Sequence, residues 1–134
     1  MTTAESVVLD ASAFVRFHTG SSAAGEILRD AWLARSEILA PDLILAEVAN
    51  SLLRYARRGE FSTADVREAL GDLQRAVTVV PLAMLFPAAF DIAVDRDLTP
   101  YDAAYVELAE ALDVPLITAD RKLAASTPNA VLID

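Results

Sequence analysis

The chain has no cysteine, a single histidine and only four glycines among its 134 residues. Without cysteine there is no disulfide framework, no thiolate zinc site and no thiol nucleophile. With His18 alone, a histidine-rich metal centre or a Ser-His-Asp triad would depend wholly on one residue, which reads as a loop or surface position. The glycines, at 20, 25, 59 and 71, form neither a GxGxxG turn nor a P-loop, so a nucleotide cofactor bound that way is not expected. Positive charge is scarce. Eleven Lys and Arg against 20 Asp and Glu leave a net charge of -9, which argues against a membrane-surface protein and against broad adhesion to nucleic acid. Long apolar runs are also missing: the longest charge-free one, VTVVPLAMLFPAAF at 77–90, is too short for a membrane helix and holds two prolines. The opening MTTAESVV lacks the basic and apolar stretches of a signal peptide, so an intracellular, cytoplasmic protein is expected.

What is present is apolar and finely divided. A 54% hydrophobic content over this length, with no linker-like stretch, suits one domain, 1–134, with one core. Short aliphatic runs at Val7–Leu9, Ile38–Ala40, Thr78–Leu82, Leu116–Thr118 and Val131–Ile133 read as strands. Segments with helical spacing lie between them, at Ser21–Arg35, Pro41–Arg58, Thr63–Ala76, Leu85–Asp95 and Pro100–Leu112. Continuously apolar strands alternating with helices predict an α/β fold with a parallel sheet covered on both faces. The punctuation agrees: Gly59 stops one helix, Ser62 or Thr63 caps the next, and Thr99-Pro100 supplies an N-cap followed by proline at the first helical position. In such a sheet ligands bind beyond the carboxyl ends of the strands.

Four acids stand out against this background. Asp10 closes VVLD and Asp120 follows PLITA, so both occupy strand ends; each also reads as an N-cap of a following helix. Asp102 lies three residues after Thr99, as in a capping box, yet it shares a helix face with Tyr105, Val106 and Ala109. A cap explains the position but not the apolar face, because a buried carboxylate is costly unless paired or metal-bound. Glu47 shares the polar side of its helix with Asn50, Ser51, Arg54 and Arg58, so periodicity alone leaves it on a solvated face. Two carboxylates about 4 Å apart repel by roughly 4 kcal/mol at an effective dielectric of about 20, so a gathering of four implies a divalent cation. Ser12 and Thr118, each two residues from an acid, are candidates to orient a ligand carboxylate or bound water, and equally plain turn or strand residues.

Taken in order, these residues resemble the PIN-domain family, and in length and motif they are similar to the toxin ribonucleases of VapBC-type toxin-antitoxin pairs. The resemblance rests on Asp10 with Ser12, on Glu47 and Asn50 in an xxEVxN helix, on Thr99 to Val106 around Asp102, and on Leu116 to Asp120. It spans nearly the whole chain and draws Glu47 into the site against its periodicity. It implies a three-layer α/β/α sandwich with a central parallel sheet, in which Asp10, Glu47, Asp102 and Asp120 converge as catalytic and metal-binding residues for Mg²⁺ or Mn²⁺. Ser12, Asn50 and Thr118 would support them. Arg54, Arg57 and Arg58 are candidate phosphate contacts, with a surface cluster at a helix end as the plainer reading.

The chemistry implied is metal-dependent endonucleolytic cleavage of RNA, and the oxygen-only donor set agrees with a hard cation. The resemblance also implies a homodimer and a cognate antitoxin with a basic and apolar tail. A non-toxin PIN nuclease in RNA processing, or a PIN-like module that binds without cutting, would share most of these features. A receiver domain fits poorly, since the run at 78–82 ends without aspartate and Lys122 is the single lysine; a haloacid dehalogenase would need Asp-x-Asp where the chain has Asp10-Ala-Ser12.

Overall fold

Val7, Val8 and Leu9 are all fully buried, so the first strand must be covered on both faces, as a central parallel strand requires. A computed structural model, describing residues 6–20 and 37–133, places it there. Strands β1 (Ser6–Leu9), β2 (Glu37–Pro41), β3 (Thr78–Val80), β4 (Leu116–Thr118) and β5 (Ala130–Leu132) form one sheet in the order β3-β2-β1-β4-β5. Every pairing is parallel, with Val8 opposite Leu39 on one side and Leu116 on the other. The outer strands β3 and β5 are largely exposed, as edges are.

Six helices are described: α1 (Ala11–Thr19), α2 (Ile44–Arg57), α3 (Thr63–Ala76), α4 (Ala88–Arg96), α5 (Pro100–Leu112) and α6 (Arg121–Ala125). Right-handed crossovers decide their sides. The sheet grows outward from β1 to β3 through α1, α2 and α3, which pack on one another, then returns to β4 through α4 and α5 on the opposite face. Helix α5 lies across β1, β2 and β4, with α4 packed on it. The chain therefore reverses direction between β1 and β4, and a crevice opens where their carboxyl ends diverge.

The expected three-layer α/β/α arrangement is present, with several boundaries moved. Helix α3 and helix α5 match their expected spans; Ser62 caps α3 in a reciprocal capping box with Asp65, and Thr99 accepts from the Asp102 amide at 3.1 Å to start α5. The third strand stops at Val80 rather than Leu82, because Pro81 has no N–H for the ladder and a 3₁₀ turn (Leu82–Leu85) follows. Helix α4 starts at Ala88 rather than Leu85, since Phe86 precedes a proline and stays extended. Helix α2 starts three residues later than expected because β2 runs through Pro41. Helices α1 and α6 were not among the expected spans, and the helix expected at Ser21–Arg35 falls outside the described residues.

Candidate active site

Asp10 and Asp120 follow β1 and β4, the two strands that flank the crevice, and the same local sequence role resolves differently at each. Asp120 is a true N-cap: its Oδ1 accepts from the amides of Lys122 at 2.9 Å and Leu123 at 3.2 Å, so one oxygen is committed to α6. Asp10 has the extended backbone of an N-cap but its carboxylate accepts no amide hydrogen of α1. It is 5% exposed, and its Oδ2 accepts from the hydroxyls of Ser12 and of Thr118, the latter at 2.8 Å. Oδ1 has no partner among the described residues.

The two hydroxyls also lock the strand ends together. Thr118 Oγ1 donates to Asp10 and accepts from the Asp120 amide at 3.0 Å, while Ser12 Oγ donates to Asp10 and accepts from the Ala119 amide at 3.0 Å. Each hydroxyl is thus used in both directions, which fixes its hydrogen and leaves Asp10 one rotamer. Thr118 is fully buried, so deleting its hydroxyl would strand the Asp120 amide and leave the Asp10 oxygen with Ser12 alone.

Glu47 enters from the first turn of α2, which starts at the carboxyl end of β2 and so looks onto the crevice. It is partly buried, and its Oε1 accepts from the Tyr105 hydroxyl at 2.6 Å. Tyr105 itself is fully buried on α5, one turn from Asp102, so this single bond ties the helices of opposite faces across the mouth of the sheet. Sequence reasoning left Tyr105 as a core aromatic. Its signal was a hydroxyl in an otherwise apolar stripe that must find a partner when buried.

The electrostatics show that the four acids share one region. Burial pushes the Asp10 carboxyl above its ordinary pKa, with the Asp102 and Asp120 charges adding to the rise and the Ser12 and Thr118 hydroxyls opposing it. Burial likewise raises Glu47, reinforced by Asp10 and Asp102 and opposed by Tyr105. Asp102 is raised by burial and by Asp120, with Lys122 and Thr99 pulling the other way. Burial and the Glu47 charge hold the Tyr105 phenol far above its ordinary range, so it remains a donor.

A divalent cation suits these donors. Every one is an oxygen, one of them is a buried carboxylate oxygen without a partner among the described residues, and their mutual repulsion calls for positive charge. No three acidic or histidine side chains among the described residues stand close enough to grip one ion together. A Mg²⁺ site does not require such a grip, since Mg²⁺ keeps several of its waters and takes only one or two carboxylates directly.

Other expected contributors lie elsewhere. Asn50 is exposed, one turn beyond Glu47. Arg54, Arg57 and Arg58 follow Glu47 by 7–11 residues, placing them about 10–16 Å further along α2 at 1.5 Å per residue. Arg58 pairs with Glu60 at 3.3 Å and sits over the Tyr55 ring, and Arg54 reaches Ser51. His18 is a surface residue as expected, though on α1 rather than in a loop, with its ring on Phe14.

With the geometry in place, comparison with known proteins is unambiguous. Residues 7–126 match the model of the PIN domain. Ribonuclease VapC3 of Pyrobaculum aerophilum is 36% identical over 128 residues, 93% of this chain and 97% of that protein. Ribonuclease VapC3 of Mycobacterium tuberculosis is 39% identical over 127 residues, 94% of this chain and 90% of that one. Among solved structures, PAE2754 from Pyrobaculum aerophilum superposes with a TM-score of 0.74 at 28% identity, covering 98% of this chain and 91% of that chain. VapBC2 from Rickettsia felis, solved bound to a promoter DNA fragment, gives 0.65 at 13% identity, covering 96% and 97%, and supports the fold alone. The chain belongs to the PIN-domain family and, within it, is a relative of the VapC ribonucleases.

Proposed function

We propose that this protein is a Mg²⁺- or Mn²⁺-dependent endoribonuclease, the toxin of a type II toxin-antitoxin pair, with Asp10, Glu47, Asp102 and Asp120 as its catalytic acids. The observation that carries the reading is that Asp10, Glu47 and Asp102, each raised by burial and by neighbouring acids, lie with Asp120 at the β1/β4 crevice of a VapC-like fold. Asp10 through Oδ1, together with Asp102 and Asp120, would hold the cation directly or through water, and Glu47 would hold a further water or a second ion. A bound divalent cation supplies Lewis acidity that lowers the pKa of water and offsets charge developing on a phosphodiester. Glu47, fixed at Oε1 by Tyr105, would present Oε2 to a water and could accept a proton there. Ser12 and Thr118 position Asp10; Asn50, on the polar side of α2, is a lesser support.

The toxin assignment rests on relatives named VapC and on neighbouring toxin-antitoxin complexes. A basic, apolar antitoxin segment suits the cavity of about 330 Å³ between α1, α2 and α3, where Leu52, Phe61 and Val66 meet Asp65, Glu68 and Asp72. Exposed Met84, Phe86, Phe90 and Val94 suit a homodimer contact. No described helix is long and apolar enough to cross a membrane, and the expected cytoplasmic setting belongs to this reading. The test is cleavage of an RNA panel with Mg²⁺ or Mn²⁺: wild type should cut and Asp10→Asn should not, whereas equal cutting by both would refute the catalytic role.

A further inference from the structure

Building on the ribonuclease reading, we infer that Arg16 and Arg121 frame a binding site for one nucleotide unit of the RNA strand, its phosphate between the two guanidiniums and its ribose or base against Leu132. The two arginines are 105 positions apart in sequence, and the fold brings them to one cavity of about 310 Å³ lined by Arg16, Ala119, Arg121, Leu132 and Ile133. Helix geometry explains the meeting. Ser12 and Arg16 are four residues apart and share a face of α1. Ser12 Oγ accepts from the Ala119 amide, so that face looks at the turn between β4 and α6, with Arg16 one turn further on. Arg121 opens α6 just beyond that turn, and the wall is supplied by Leu132 of β5, 46% exposed, and by buried Ile133 just after it.

The cavity adjoins the acids, since Ala119 in its wall stands between Thr118 and Asp120. A polyanion approaching four carboxylates on a chain of net charge -9 needs nearby cations to offset the repulsion. Several arginines are already engaged: Arg58 with Glu60, Arg75 with Asp72, Arg96 with Glu110. Arg16 and Arg121 are exposed and make no ion pair with the described residues, so their planar forks face solvent beside the crevice. The volume lies at the small end for ligand pockets, and the mixture of two cations with an apolar wall matches a nucleotide better than an apolar ligand. Phosphate contacts position a strand without reading its sequence, so this cleft sets affinity and register rather than base preference.

The experiment uses fluorescein-labelled single-stranded RNA of mixed sequence, Mg²⁺, and Asp10→Asn protein, with anisotropy read from about 50 to 200 mM salt. Adding Arg16→Gln or Arg121→Gln should each weaken binding roughly tenfold and lower the slope of log affinity against log salt by about 0.7. The Arg16→Lys, Arg121→Lys pair should recover the slope while regaining only part of the affinity. In otherwise wild-type protein the Gln pair should raise KM with little change in kcat, and unchanged melting separates this from misfolding. Affinity and slope equal to the parent, loss from Arg54→Gln and Arg57→Gln instead, or no RNA binding by Asp10→Asn at low salt would each overturn the cleft. Wild type that cuts RNA with the Gln pair unaffected removes the cleft alone; wild type that binds RNA through these arginines without cutting removes the ribonuclease reading alone.

Discussion

The partly buried Glu110 and the carboxylates of the β1/β4 crevice are treated in opposite ways. On the α4, α5 and β5 side, Glu110 receives both arms of the Arg96 guanidinium, at 2.6 and 2.9 Å, and the Thr127 hydroxyl at 2.6 Å. Arg96 also donates to the Ser126 carbonyl at 3.1 Å, and the pairing lowers the Glu110 pKa. At the β1/β4 crevice Asp10, Glu47 and Asp102 are raised instead, because burial and one another's charge outweigh the neutral hydroxyls and the single Lys122 that face them. Glu110 is completed by the chain itself, which its pairing stabilises. The crevice acids are left uncompensated at a cost in stability that, on the proposed function, a divalent cation would recover, as is usual for sites where function and stability compete.

The comparison is broken most strongly at Asp10. Asp10→Asn keeps the shape and can still accept from Ser12 and Thr118, so it should lower RNA cleavage by at least about 100-fold while raising apo stability by about 1 kcal/mol. Cleavage rates and thermal melting measured on the same preparation read the two opposite signs. Arg96→Ala should do the reverse: it leaves Glu110 unpaired and should cost about 2 kcal/mol in denaturant unfolding, with kcat nearly unchanged. Tyr105→Phe removes one donor from Glu47 and should reduce kcat about tenfold, with a stability change of about 1 kcal/mol or less.

The smallest effect is the pH dependence. Acids with raised pKa values bind more protons in the folded state than unfolded, so in EDTA their contribution falls as pH rises above the ordinary carboxylate range and levels once they ionise. Glu110, lowered, contributes fully above that range and loses its contribution as pH falls through its folded value. The metal-free protein should therefore be most stable somewhat on the acid side of neutrality, and Asp10→Asn should flatten the decline towards neutral pH. Melting temperatures across a pH series check both.

The parts of the fold legible in the sequence are those with strong local signals. Helix α3 carries a capping box and α5 begins with Thr99-Pro100, so both ends agreed with pattern alone. Asp10 and Asp120 read as N-caps and so marked the starts of α1 and α6, but no span followed: ASAFVRFHT mixes β-branched and aromatic residues that burial, rather than propensity, makes helical, and α6 has only five residues, too few for a period. Of the proposed site residues, Asp10 and Asp120 were suggested by strand ends and Asp102 by an apolar face. Glu47 was legible only through the family resemblance, because a helix that starts at the crevice turns the first residue of its polar stripe inward and the later ones to solvent. That geometry also carries Arg54, Arg57 and Arg58 away from the acids, a separation that counting along α2 would reveal.

The central claim is that the crevice acids form an incomplete site completed by a divalent cation. It is tested most directly by thermal melting at neutral pH with and without Mn²⁺, for wild type and Asp10→Asn. The account predicts that near-saturating Mn²⁺ raises the wild-type melting temperature by about 5–10 °C and leaves Asp10→Asn almost unmoved. Equal shifts in the two proteins, or no shift in wild type, would contradict it.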